Sequence, residues 1–262
     1  FPAQCTEPVC ALAYRNGMAN LKMHTGQTDC ARRILTALPV DAENDSAMLA
    51  LSYRTMLLGL SHLWDGDAYQ TEAILRPALL RAELVAGRRS MVASMFAAVL
   101  AAALHELDQP AAAQALLANR LDVIERTGFP DAILLTYRTL TYVALSQGDE
   151  RRALNLLDSL GSLAEHRHLP RLSLHSLAEQ IRIHALRACT ETVDCLMLQL
   201  DQLASAFEQE EFLPYLPQYR LAAAIAKTYA ALAQHDVAAA EEHLQVADAF
   251  ADSFSQNSNS PR

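Results

Sequence analysis

Lysine is nearly missing from this chain: Lys22 and Lys227 are the only two in 262 residues, against 19 arginines. The formal net charge is −9. The basic pairs Arg32-Arg33, Arg88-Arg89 and Arg151-Arg152 are scattered at expected helix ends, so no patch exists to neutralise a run of phosphates. A nucleic-acid-binding surface is therefore not expected. No lysine follows a glycine-rich loop, which excludes a P-loop for nucleotide phosphates. Cysteine is scarce as well. Cys5, Cys10, Cys30, Cys189 and Cys195 are odd in number and never spaced Cys-x-x-Cys. That pattern implies neither a disulfide framework nor a zinc site, and a reducing cytoplasm is the expected compartment. The longest apolar run, Met91 to Leu104, is broken by Ser94 and falls short of the roughly 20 residues that cross a bilayer. The chain opens on Phe1 with no basic segment leading an apolar one, so no secretory signal is expected, and an excised or processed section of a longer protein fits.

What the chain does have is 52% hydrophobic residues, dominated by alanine and leucine, and a pattern that returns six times. Taking Gly26 as the first anchor, the equivalent positions read as Gly66, Asp108, Gly148, Thr190 and His235, at spacings of 40, 42, 40, 42 and 45 residues. Five residues beyond each anchor the side chain is small: Ala31, Thr71, Ala113, Ala153, Cys195 and Ala240. Eight beyond come Ile34, Ile74, Leu116, Leu156 and Leu198, with His243 breaking the series. Apolar-periodic segments run before and after every anchor, as in helical hairpins that bury their apolar faces only against neighbours. Glycine at the anchor supplies the left-handed turn, and the small residue lets the second helix approach the first closely.

The predicted fold is all-α, a right-handed superhelix of about twelve antiparallel helices in six hairpins. It occupies residues 1–251 as one domain, with 252–262 a polar tail or linker. The helix pairs are expected at Glu7–His24 with Thr28–Leu38, and at Ser46–Trp64 with a partner reaching Ala86. The third joins Ser90–Leu107 to Gln109–Arg126, and the fourth Asp131–Gln147 to a helix led by Asp149 and Glu150. The last two join Leu172–Ala188 to Thr192–Glu211 and Tyr215–Gln234 to Val237–Phe250. Pro39 stops the first pair, and Asp41, Glu43 and Asp45 precede the next helix as caps. Pro77 predicts a kink or a local break.

These units are longer than a standard tetratricopeptide repeat. The stretch Tyr142–Arg187 carries Ala144-Leu145-Ser146-Gln147-Gly148-Asp149, Ala153-Leu154, Leu156-Leu157, Ala164-Glu165, Arg171, Arg182 and Leu186-Arg187. In this it resembles the tetratricopeptide-like sensor domain of the large ATP-dependent LuxR-type regulators, whose best-known member activates the maltose regulon in bacteria. The resemblance implies the effector-sensing and oligomerising section of a transcriptional regulator. Its partners would be a small-molecule effector or peptide, neighbouring nucleotide-binding and DNA-binding modules, and further copies of the chain. Direct nucleic-acid or membrane contact is not implied. The alternative is a protein-interaction scaffold with no small-molecule effector.

Catalytic, cofactor and metal sites are not expected. His166 and His168 do not share a helix face. His175 and His184 lie nine apart, and His184 precedes no acidic partner at four residues. His235 and His243, with Asp236, Glu241 and Glu242 between them, match no metal-ligand pattern. Gly161-Ser162 is no nucleophile elbow, and Cys30 and Cys195 sit at expected packing positions where a thiol is inert. The recurrence that suggests recognition is Tyr-Arg, at Tyr14-Arg15, Tyr53-Arg54, Tyr137-Arg138 and Tyr219-Arg220. Each pair lies in the first helix of a hairpin, where tyrosine and arginine are recognition residues on a concave face. With Tyr142 and Arg182, Tyr137 and Arg138 make the expected centre of such a site. The competing reading has tyrosine filling gaps between layers and arginine pairing with carboxylates.

Overall fold

The computed structural model describes residues 8–37, 47–209 and 215–258, and within them the chain is all-α: thirteen helices and no strand. Cys5, Pro39 and the acidic residues Asp41, Glu43 and Asp45, together with the expected helix ends at Glu7, Leu38 and Glu211, lie outside the described residues. The chain divides into two compact units, with the boundary between Val143 and Ala144.

The first unit contains α1 (Pro8–His24), α2 (Thr28–Thr36), α3 (Met48–Trp64), α4 (Ala68–Ala86), α5 (Met91–Glu106), α6 (Pro110–Leu117), α7 (Leu121–Thr127) and most of α8 (Pro130–Ser146). Neighbours in sequence pack as hairpins, α1 on α2 and α3 on α4, while α3 also packs on α1 and on α5. Helix α5 is apolar all round and is buried at every residue from Ala93 to Leu104, as such a helix must be in water. The start of α8 is buried throughout, from Asp131 to Tyr137. It reaches back to earlier helices. Asp131 Oδ2 lies 3.6 Å from His24 Nε2, the His24 ring meets Trp64 edge-on at 5.0 Å, and Phe129 stacks on Tyr53 at 4.2 Å.

The second unit contains α9 (Glu150–His166), α10 (Pro170–Ala185), α11 (Thr190–Phe207), α12 (Leu216–Ala233) and α13 (Val237–Ser258). Helix α10 packs on α9, α11 and α12, and α12 packs on α13. Helix α9 shows the amphipathic logic plainly: Ala153, Leu157, Leu160 and Ala164 are buried at spacings of three and four, while its exposed residues are polar. Helix α13 continues to Ser258, past the expected end at Phe250.

Six turns of one kind connect first helices to second. The reversing residue has a left-handed backbone at Gly26, Gly66, Asp108, Gly148, Ala188 and His235, with φ between 55° and 79°. At each turn the next residue's N–H donates to the carbonyl five positions earlier, as in Gln27 to Lys22 at 2.8 Å and Cys189 to His184 at 3.1 Å. The paired bonds satisfy carbonyls that the helix end leaves without partners. Where the residue after the turn is aspartate it also caps the second helix: Asp67, Asp149 and Asp236 accept from the amides of Gln70, Arg152 and Ala239.

The fifth anchor is thus Ala188 rather than Thr190, which is the first residue of α11. The spacings become 40, 42, 40, 40 and 47. The shift carries everything downstream: Val193 is buried where Cys195 was expected, Cys195 is exposed, and Leu198 faces solvent. At the other five turns the small residue is buried as expected, at Ala31, Thr71, Ala113, Ala153 and Ala240.

Two expectations about second helices also change. The segment 109–126 is not one helix; it breaks at Ala118-Asn119-Arg120, where Asn119 takes a left-handed backbone. Asparagine tolerates that geometry, and the break turns Arg120 inward, where its side chain is fully buried. Its guanidinium pairs with Glu83 and donates to the Arg88 carbonyl. Burial pulls the Arg120 pKa down from its ordinary value, and Glu83 opposes the fall. Pro77, conversely, breaks nothing: α4 runs on either side of it, and the ring sits on the exposed face.

Candidate ligand cleft

The tyrosine–arginine pairs are dispersed by the fold. Their tyrosines precede the turn residues by 12, 13, 11 and 16 positions, so the pairs share no register and need not face one way. Tyr14 is exposed on α1 and Arg15 half-buried beside it. Tyr53 stacks on Phe129, and Arg54 is half-buried. Tyr137 is 2% exposed and donates its hydroxyl to Glu125. Burial first, and then the Glu125 carboxylate, raise its pKa well above the usual phenol range. Arg138 lies 5.6 Å from the centre of the Tyr142 ring, and that ring meets His105 at 5.7 Å. Arg182 is held by Glu179 on its own helix, with N···O at 2.8 Å. Tyr219 stacks on Phe207 at 4.6 Å, and burial, then Asp201 and Glu208, raise its pKa. Arg220 is exposed. Arg138 and Tyr142 do meet; Tyr137 and Tyr219 serve mainly in packing.

A concavity of the second unit is lined by other residues. A cleft of about 770 Å³ is lined by α9, α10 and α11, and each helix contributes one stripe. From α9 come Asp158, Gly161, Ser162 and Glu165; from α10 come Ser173, Ser176, Leu177 and Gln180. Both sets are spaced i, i+3, i+4, i+7, which places each on a single helix face. Helix α11 supplies Leu196, Gln199, Gln202 and Leu203. The volume lies in the range that holds a small organic ligand.

The floor is fixed by packing. Ser176 is buried; its hydroxyl donates to the Leu157 carbonyl at 2.7 Å and accepts from Gln180 Nε2 at 3.1 Å. Gly161 faces that hydroxyl, and a Cβ there would stand 3.3 Å from Ser176 Oγ, closer than comfortable contact. A glycine in mid-helix costs about 1 kcal/mol against alanine, and here it admits α10 against α9. Hydroxyls and amides line the walls, with leucines from α10 and α11 between them. Among the described residues, the only ionisable groups on the lining are Asp158 and Glu165. Neither is in an ion pair among the described residues. The Tyr-Arg search missed these residues; the readable signal is the polar i, i+3, i+4, i+7 stripe on two successive helices.

Among the described residues, no group of three His, Cys, Asp or Glu side chains is placed to hold a metal ion, and no helix is long and apolar enough to cross a membrane. No protein-family model matches the chain, and no curated protein matches it. The class that the structure defines is an all-α protein of helical hairpins joined by one repeated turn.

Proposed function

We propose that this chain is the effector-sensing and protein-interaction section of a bacterial transcriptional regulator, cytoplasmic and without catalytic activity of its own. In this reading the hairpins stack as a tetratricopeptide-like α-solenoid of six units. Layering is supported by first helices that pack on first helices: α1 on α3, α3 on α5, and α10 on α12. The observation that carries the sensing role is the α9–α11 cleft, large enough for a small molecule and lined by convergent polar groups. Two of its three walls, α9 and α10, fall in the stretch Tyr142–Arg187 that carries the resemblance to the LuxR-type sensor domain. An effector there spans three helices and changes their spacing only if it binds one arrangement more tightly than another. The consequence would pass to attached nucleotide-binding and DNA-binding modules, or to a second copy.

The test is a thermal-shift screen of the purified chain against sugars, aromatic metabolites, acyl compounds and amines. A ligand at a hundred times its Kd stabilises the state it binds by about 2.7 kcal/mol, a shift of roughly 5–10 °C for a chain of this size. A uniform null across the panel defeats sensing. The scaffold reading is favoured by a different observation: Tyr69, Leu80 and Leu84 form an apolar stripe on α4, with Leu84 88% exposed. A null screen combined with partner capture that is lost in Leu80→Glu/Leu84→Glu would favour the scaffold.

A further inference from the structure

We infer that the α9–α11 cleft is selective for a linear aliphatic polyamine, an organic cation with ammonium groups joined by methylene chains. The inference rests on the sensing role of the same cleft and adds the chemical class of what it senses.

Charge comes first. Among the described residues the lining contains two carboxylates and no arginine, lysine or histidine, so an anion would meet like charge and partial dipoles there. A neutral ligand would gain no charge pairing from either carboxylate. A dication compensates both. Spacing comes second. Asp158 and Glu165 are seven residues apart on one face of α9, about 10.5 Å along its axis at 1.5 Å per residue. That separation exceeds what one ammonium group bridges and suits two charges at the ends of an extended chain.

The surface between the carboxylates is the third observation. Gly161 presents no side chain, and Ser162 presents only a hydroxyl, so the α9 wall is a shallow track from one carboxylate to the other. Leu177, Leu196 and Leu203 on the facing helices offer apolar contact to methylenes. The side-chain oxygens of Gln180 and Gln199 can accept from N–H groups that the carboxylates leave over. The same set serves an aromatic cation less well, because among the described residues no tyrosine, tryptophan or phenylalanine lines the cleft to meet a π-face.

The experiment is isothermal titration of the whole chain with spermidine, beside a neutral aliphatic diol of matching length. Spermidine binds saturably and the diol does not. Asp158→Asn/Glu165→Gln weakens spermidine by about tenfold or more, the scale of one lost charge pair at a partly dried site. Circular dichroism shows the helices intact, since both side chains are exposed. Raising the salt concentration weakens the wild-type chain far more than the double variant. Equal spermidine affinity in wild type and variant overturns the proposal, and so does a wild-type chain that shows no saturable binding up to millimolar spermidine. Failure of the class is separable from failure of the sensing role. If a neutral metabolite binds, is lost on blocking the cleft with Ser173→Trp, and is indifferent to the carboxylate changes, sensing stands and the polyamine assignment falls. If neither amines nor neutral solutes bind, both fall.

Discussion

Moving the fifth turn from Thr190 to Ala188 makes a prediction whose sign separates the two registers. Ala188 has φ of 55°, a left-handed backbone that costs a residue with a Cβ about 1–2 kcal/mol relative to helical geometry. Glycine removes that strain but gives the unfolded chain more freedom, which takes back about 0.4–1 kcal/mol. Ala188→Gly should therefore stabilise the second unit by roughly 0.5–1 kcal/mol, or about 1–4 °C in Tm for a chain of this length. Thr190 is the first residue of α11 and helical, so Thr190→Gly gains nothing and loses about 0.5 kcal/mol of helix propensity. Gly148→Ala provides the internal control, at an equivalent turn with φ of 74° and open space around the new Cβ. It should cost about 0.5–1 kcal/mol by the reverse of the same reasoning. Differential scanning calorimetry is the suitable assay because two compact units need not melt together. A lower Tm for Ala188→Gly together with a higher one for Thr190→Gly would refute the turn assignment and the packing register built on it.

Other consequences follow from single contacts. Gly59→Ala places a Cβ 2.6 Å from Leu75 Cγ and should cost about 1–3 kcal/mol by overpacking, whereas Gly17→Ala, with nothing within 4 Å, should stabilise α1 by about 0.5–1 kcal/mol; chemical denaturation of both variants checks the contrast. Glu83→Gln leaves the buried Arg120 guanidinium without its carboxylate and should destabilise the first unit by about 2 kcal/mol, less than a fully buried pair because Glu83 itself is part-exposed. Tyr137→Phe removes the hydroxyl that donates to Glu125 and should cost about 1–2 kcal/mol, read as a lower denaturation midpoint at unchanged slope. Burial, and then Arg32, lower the His62 pKa below its ordinary value, so the folded state favours the neutral ring. The stability this contributes is present above the unfolded pKa near 6.5 and is lost as pH falls through the depressed folded value. Tm measured from pH 7.5 down to 5 should therefore fall more steeply in the wild type than in His62→Gln, and parallel curves would exclude His62 as the cause.

The repeat was legible from the sequence because its causes are local. A left-handed residue reverses the chain, a small residue follows five positions later, and leucines recur on one face. Gly26, Gly66 and Gly148 announce the turn because glycine alone adopts it without cost. Ala188 announces nothing, since alanine reads as ordinary helix, and only the hydrogen bonds that close the end of α10 assign it. Neither could the sequence give the break at Asn119, which exists so that Arg120 can reach Glu83 and Arg88, more than thirty residues earlier in the chain. The tyrosine–arginine pairs are hard to read from sequence for a related reason: adjacency fixes an angle of about 100° between two side chains and leaves open where either one points. Whether each is buried, as Tyr137 is, or exposed, as Tyr14 and Arg220 are, depends on which helices pack against it. The sequence by itself determined the all-α class, most of the helices and the glycine-marked turns, because those depend on propensity and periodicity within some forty residues. The tertiary structure alone decided where a cleft opens, because polar stripes on α9, α10 and α11 are ordinary solvated surface until α10 packs between the other two.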